Sequence, residues 1–238
     1  MEFQNIKLQG SIFTPELSIA NSLPILNLIS QSLPKELNEN PMVLPIPQDA
    51  PANIPRIQFS SDDKKWRVGM SLERTDLVFH DLSLENDEKC SEKSFAEILA
   101  NFFTQLKDGL DLSVQRLAFV TQRGALIDDP ASLIINKFCR PEYGKKGNAF
   151  SSAKKFEIHS YKNYTWNTFH LNSWVRVKAM SLKLTSPTPI LSIENDLNTL
   201  SSGEDPDKRF SSTEIETFIK GVPEHLQGII QKYFSEVD

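Results

Sequence analysis

Residues 3–9 (FQNIKLQ) alternate apolar and polar side chains, which predicts a first strand. Thr14-Pro15-Glu16 then reads as a helix start, with Thr14 as cap and Pro15 in the first turn. Ile19, Leu23, Leu26, Ile29 and Leu33 follow at helical spacing, and Pro24 inside that run predicts a kink or a break. Prolines at 34, 41, 45, 47, 51 and 55 predict an extended connection with little regular structure. Strands are expected next at 56–60, 65–72 and 74–80, the second placing Trp66, Val68, Met70 and Leu72 on one face. An acidic loop from Asp81 to Glu92 leads to the clearest helix. There Phe95, Ile98, Leu99, Phe102, Phe103, Leu106 and Leu110 form one apolar stripe that must pack on a sheet.

The second half repeats that order. It begins with a strand at 113–123 and a short helix at 129–139, opened by Asp128-Asp129-Pro130. A Gly/Lys loop at 144–148 precedes strands at 153–161, 164–171, 174–184 and 188–196. Past an acidic loop at 201–210, Ser211-Ser212-Thr213-Glu214 is a cap signal. Apolar stripes from Ile215 to Val222 and from Leu226 to Phe234 predict two helices, the second restarted by Pro223. The expected class is α+β: two β-α-β(3-4)-α units, 1–111 and 112–238, with antiparallel sheets joined and helices packed on one face. The units form either two halves or one continuous domain. That element order is similar to the duplicated saddle-shaped folds of the TATA-box-binding-protein-like and helix-grip groups, a likeness that carries no function.

Residues 153–178 are the most informative stretch for function. A two-residue link at Lys162-Asn163 predicts a tight hairpin with Tyr161 facing Tyr164, His159 facing Trp166 and Lys155 facing His170. Strand parity then puts Phe156, Ile158, Phe169 and Leu171 toward a core. The opposite face carries Lys155, His159, Tyr161, Tyr164, Trp166 and His170, joined by Trp174, Arg176 and Lys178 from the next strand. Such a face suits a protein partner or a second copy, since Trp, Tyr and Arg dominate interface anchors. It also suits single-stranded nucleic acid, on which aromatic rings stack. The competing expectation is a face covered by the proline-rich segment or by the other half of the chain.

Composition adds bounds. With 39% hydrophobic and 24% charged residues among 238, the chain is neither a disordered tail nor a fibre. No apolar run approaches the roughly 18 residues of a spanning helix, so no membrane association is expected. The start lacks a basic region followed by an apolar one, so a cytoplasmic location is expected. Cys90 and Cys139 have no metal-type spacing and read as reduced thiols, a single disulfide being the alternative. The net charge of −5 sums −7 over residues 1–136, +8 over 137–183 and −6 over 184–238. The basic block thus coincides with the aromatic hairpin, ready for a polyanion or for the acidic surfaces of its own chain.

Catalytic chemistry is not specified. The chain has no phosphate-cradling glycine loop, nucleophile elbow or HExxH pair. Asp62-Asp63, Asp128-Asp129 and Asp205/Asp207 sit in turns or at helix starts, where Asp bonds its local backbone. No cofactor or metal is expected. An enzyme would have to use His159 or His170, with Glu157 close in sequence.

Three segments carry a family resemblance. WRVGMSLERTDLVFH (66–80) is followed by the helix at 95–110, QRLAFVTQRGAL spans 115–126, and ILSIENDLNTL (190–200) is followed by FSSTEIETFIKGV (210–222). In this order, over roughly 66–235, the chain resembles a sporadically distributed, uncharacterised bacterial family of about this length. The family motif usually ends in Arg-Tyr-Ile-Asn, and this chain departs from it at Arg123-Gly124. The resemblance implies a soluble bacterial protein, an accessory or defence-associated binding component, with no catalytic residues to transfer.

Overall fold

The computed structural model describes all residues other than 16, 18–21, 33–36, 38–40, 48, 84–89, 184–186, 201–207 and 235–238. Glu16, Ile19, Leu33, Pro34, Asp205, Asp207 and much of both acidic loops therefore lie outside the described residues. The strands are β1 (Gln4–Phe13), β2 (Met42–Val43), β3 (Ile57–Ser60), β4 (Trp66–Met70), β5 (Arg74–His80), β6 (Arg116–Leu126), β7 (Glu157–Trp166), β8 (Phe169–Lys183) and β9 (Pro187–Thr199). The helices among the described residues are α1 (Ser22–Ser32), α2 (Glu92–Leu110), α3 (Pro130–Phe138) and α4 (Ser212–Phe234).

The mixed α+β class holds. Among the described residues nine strands form one antiparallel sheet in the order β2-β3-β4-β5-β1-β6-β9-β8-β7, with the helices on one side. The sheet's inner side chains and the α2 and α4 stripes share one core, in which Phe95, Phe102, Phe103, Phe119 and Phe218 are fully buried. That core draws on residues from both halves of the chain. Helix α2 can lie close on β1 because position 10 is glycine: a Cβ there would stand 2.1 Å from Leu99 Cδ2.

Three local expectations change. Over its described residues helix α1 runs from Ser22 to Ser32 with no break at Pro24. Pro223 lies inside a continuous α4 and does not restart a helix. There the burial of Ile215, Phe218, Ile219, Val222, Leu226 and Ile230 on one side outweighs the lost hydrogen bond. The proline-rich connection is tied down by Arg56, which is buried and donates to the carbonyls of Ile46, Pro47 and Ala50.

The third change is the hairpin. Its turn is Asn167-Thr168, not Lys162-Asn163, and three strands stand where four were expected. Asn167 has φ of 52°, which asparagine tolerates better than most residues. Lys162 and Asn163 are ordinary strand residues paired with Ser173 and Asn172.

Candidate functional site

Continuous register across the sheet sorts the side chains into rows on the face away from the helices. Tyr161, Trp174, Asp196, Val120, Gln9 and Val78 make one row across β7, β8, β9, β6, β1 and β5. Asn163, Asn172, Asn198, Ala118, Ser11 and Asp76 make the next, and His159, Arg176, Glu194, Gln122, Lys7 and His80 a third. One corner of this face is closed by an apolar cluster of Ile6, Leu82, Met180, Leu182 and Ile190.

At the β7 end the face is aromatic. The Tyr161 and Trp174 rings lie 4.6 Å apart, and Tyr161 is 50% exposed. The Arg176 guanidinium stands 5.8 Å from the Trp174 ring and is ion-paired with Glu194. A polar network continues inward. Tyr161 Oη donates to Asn172 Oδ1 at 2.8 Å, Asn172 Nδ2 to Asn198 Oδ1 at 3.4 Å, and Arg116 Nη2 to the same oxygen at 2.6 Å. Arg116 in turn lies 4.8 Å over the Phe13 ring. Burial pulls its guanidinium below the usual value while Asp196 opposes the shift. Beyond Phe13, Arg74 pairs with Asp76 at 2.9 Å, and Asp76 also accepts from Ser11 and Gln9. Aromatic rings alternating with hydrogen-bonded Arg, Asn and Asp thus run across six strands.

Of the residues singled out from the sequence, His159, Tyr161, His170, Trp174, Arg176 and Lys178 share this face. Lys155 is exposed just ahead of β7. Tyr164 and Trp166 are a correction: they lie on the helix side. With the turn at Asn167-Thr168 they share a strand with Tyr161, and three residues along one strand reverse the side. His159 faces Arg176 and lies 3.5 Å from Glu157, whereas His170 faces Thr165. Six residues along β7 separate their levels, about 20 Å, so the two histidines do not meet. Phe13, Arg74, Asp76, Arg116, Asn172, Glu194, Asp196 and Asn198 were not anticipated. Strand parity gives each its side, but only strand order brings them together.

On the helix side, Tyr164 Oη and His225 Nε2 are 2.6 Å apart, and Trp166 stacks on His225. Burial lowers the His225 pKa, and Lys232 adds to this. Burial raises the Tyr164 phenol against an opposing hydrogen bond with Ser173. A 490 Å³ cavity beside them is lined by Asn167, Glu224 and Lys232 among others. Elsewhere on that side Arg123, only 4% exposed, donates Nε to Glu92 Oε1 at 2.5 Å.

Two aspartates of the carboxylate pairs serve a turn and a cap. Asp63 accepts from Ser61 Oγ and Lys65 N, which lower its pKa, and Asp129 caps α3 through Ser132 N. Among the described residues no three His, Cys, Asp or Glu side chains gather as metal ligands would. Cys90 and Cys139 form no disulfide. No helix is long and apolar enough to cross a membrane, among the described residues. No protein-family model and no curated protein matches the chain.

Proposed function

We propose that the chain is a non-catalytic, cytoplasmic binding or assembly module that engages a protein partner or a second copy through its polar-aromatic sheet face. The observation that carries this reading is the Tyr161–Trp174–Arg176 cluster, which stands at one end of a hydrogen-bonded belt on the face away from the helices. Rigid aromatic area beside a guanidinium is what interface anchors are made of. A nucleic-acid partner is the weaker alternative. Glu194, Asp196 and Asp76 share the face, and Arg176 and Arg74 are already paired with two of them. The same reading takes the chain as two joined α+β units. In its support, β5-β4-β3 run outward from β1 in the order that β9-β8-β7 run outward from β6.

Affinity capture with wild-type protein and with a Trp174→Ala/Arg176→Ala double variant tests the reading. A partner retained by wild type and lost by a folded variant is the expected result. Binding of the same partner equally by both would remove the face from the function. Tight, salt-sensitive binding of oligonucleotides would favour the alternative.

A further inference from the structure

Strand β7 is one edge of the sheet, and its outer side has no neighbour among the described residues. Sheet edges are usually blunted by brevity, proline, bulges or charged side chains. The far edge follows that rule: β2 is two residues long, between Pro41 and Pro45. Strand β7 relies on charge alone, at Glu157 and Lys162. Its ten residues hold no proline, pair with β8 in unbroken register and are mostly exposed. The Phe156 carbonyl accepts from Ala179 N, so even-numbered residues turn their backbone toward β8. His170 O, opposite Thr165, accepts from Leu200 N on the far side of β8, which fits the same alternation. Residues 157, 159, 161, 163 and 165 therefore aim N–H and C=O groups outward.

We infer that β7 pairs antiparallel with β7 of a second copy, in the register that sets Tyr161 opposite its own symmetry mate. The inference rests on the reading of the chain as an assembly module and names the occupant of its edge. The residues are self-complementary in this register. On the helix side Phe156 meets Trp166, Ile158 meets Tyr164, and Ser160 meets Lys162. Lys162 is drawn over its own Tyr164 ring at 5.1 Å, away from the two-fold axis. A shift centring the axis on Lys162 would set like charges face to face, and one centring it on Ser160 would set Ile158 against Lys162. On the open side Trp174, Tyr161 and their mates join into one aromatic row. The axis runs normal to the sheet and leaves both sets of helices on one side. Five paired positions supply about ten interchain hydrogen bonds, the number a standard interface carries.

Sedimentation equilibrium on the full chain tests the pairing, with Asn163→Pro as the disrupting variant. Proline there removes an outward N–H and leaves the bonds to β8 intact. The expected result is a concentration-dependent dimer that Asn163→Pro abolishes while circular dichroism stays that of wild type and melting falls only to that of dilute, monomeric wild type. Oxidation of Tyr161→Cys should cross-link two copies, because residues opposed on the axis lie within disulfide reach. Asn163→Cys should not, its mate being about 14 Å away. A monomer at all concentrations, a dimer that survives in Asn163→Pro, or cross-linking through Asn163→Cys would overturn the inference. If that monomer still binds a partner that Trp174→Ala/Arg176→Ala loses, the reading of the open face stands without it.

Discussion

Trp166 lies on His225 with ring centroids 4.7 Å apart and planes 27° from parallel, which fastens the tip of the β7–β8 hairpin to α4. Gly221 makes this approach possible, since a Cβ there would stand 2.8 Å from Trp166 Cη2. Gly221→Val must push the indole off its seat. The small gain in helix propensity does not compensate. The variant should lose about 1–3 kcal/mol of stability, read as a lower urea midpoint.

His225 is held below its usual pKa by burial, with Lys232 adding repulsion. A histidine depressed in the folded state is protonated first in the unfolded one. Its contribution is complete above the unfolded value near 6.5 and falls as pH drops below it. Melting temperature should therefore decline below about pH 6.5, and His225→Gln should flatten that part of the profile.

Asp81 acts lower on the scale. Burial opposes its ionisation, but hydrogen bonds from Lys65 and Ser83 outweigh it and hold the pKa at about 2. Its stabilisation is present above the ordinary carboxylate range and is lost as pH falls from about 4 toward 2. Lys65→Met should move the acid unfolding transition to higher pH in a circular-dichroism titration.

Arg123 joins β6 to the start of α2 through Glu92. Truncation to Met leaves the Glu92 carboxylate without its partner and should cost about 3 kcal/mol by denaturant titration. Adding Glu92→Leu should recover most of the loss, because the pair's own net contribution is small. An undiminished loss in the double variant would show that packing of the arginine stem, not the charge, mattered.

Thr121 is fully buried on the helix side, and its hydroxyl makes no hydrogen bond. Thr121→Val keeps the shape and removes a desolvated oxygen, so it should stabilise the protein by about 1 kcal/mol. A lower melting temperature in this variant would contradict that account.

Periodicity located the core well where one signal acted alone. The α2 stripe is buried as expected at Phe95, Leu99, Phe102, Phe103 and Leu106. The alternation of Trp66, Val68 and Met70 is buried likewise. Proline misled twice, because its cost depends on how much apolar surface the helix buries. The hairpin misled because Lys162-Asn163 and Asn167-Thr168 are both acceptable two-residue links. Tyr164 and Trp166 are amphipathic enough for either side of a sheet.

Local chemistry determined which segments become strands and helices, and which alternate positions along each strand go together, because those depend on neighbours a few residues away. The sequence also showed that the −5 charge hides a basic block at 137–183. The partners across the sheet were decided only by the tertiary structure. Arg176 meets Glu194 and Arg116 meets Asn198 through strand order, and pairings between residues 18 and 82 positions apart leave no mark in a local pattern. The turn was decided there too, because the packing of Trp166 on α4 selects between links that the chain by itself leaves equal.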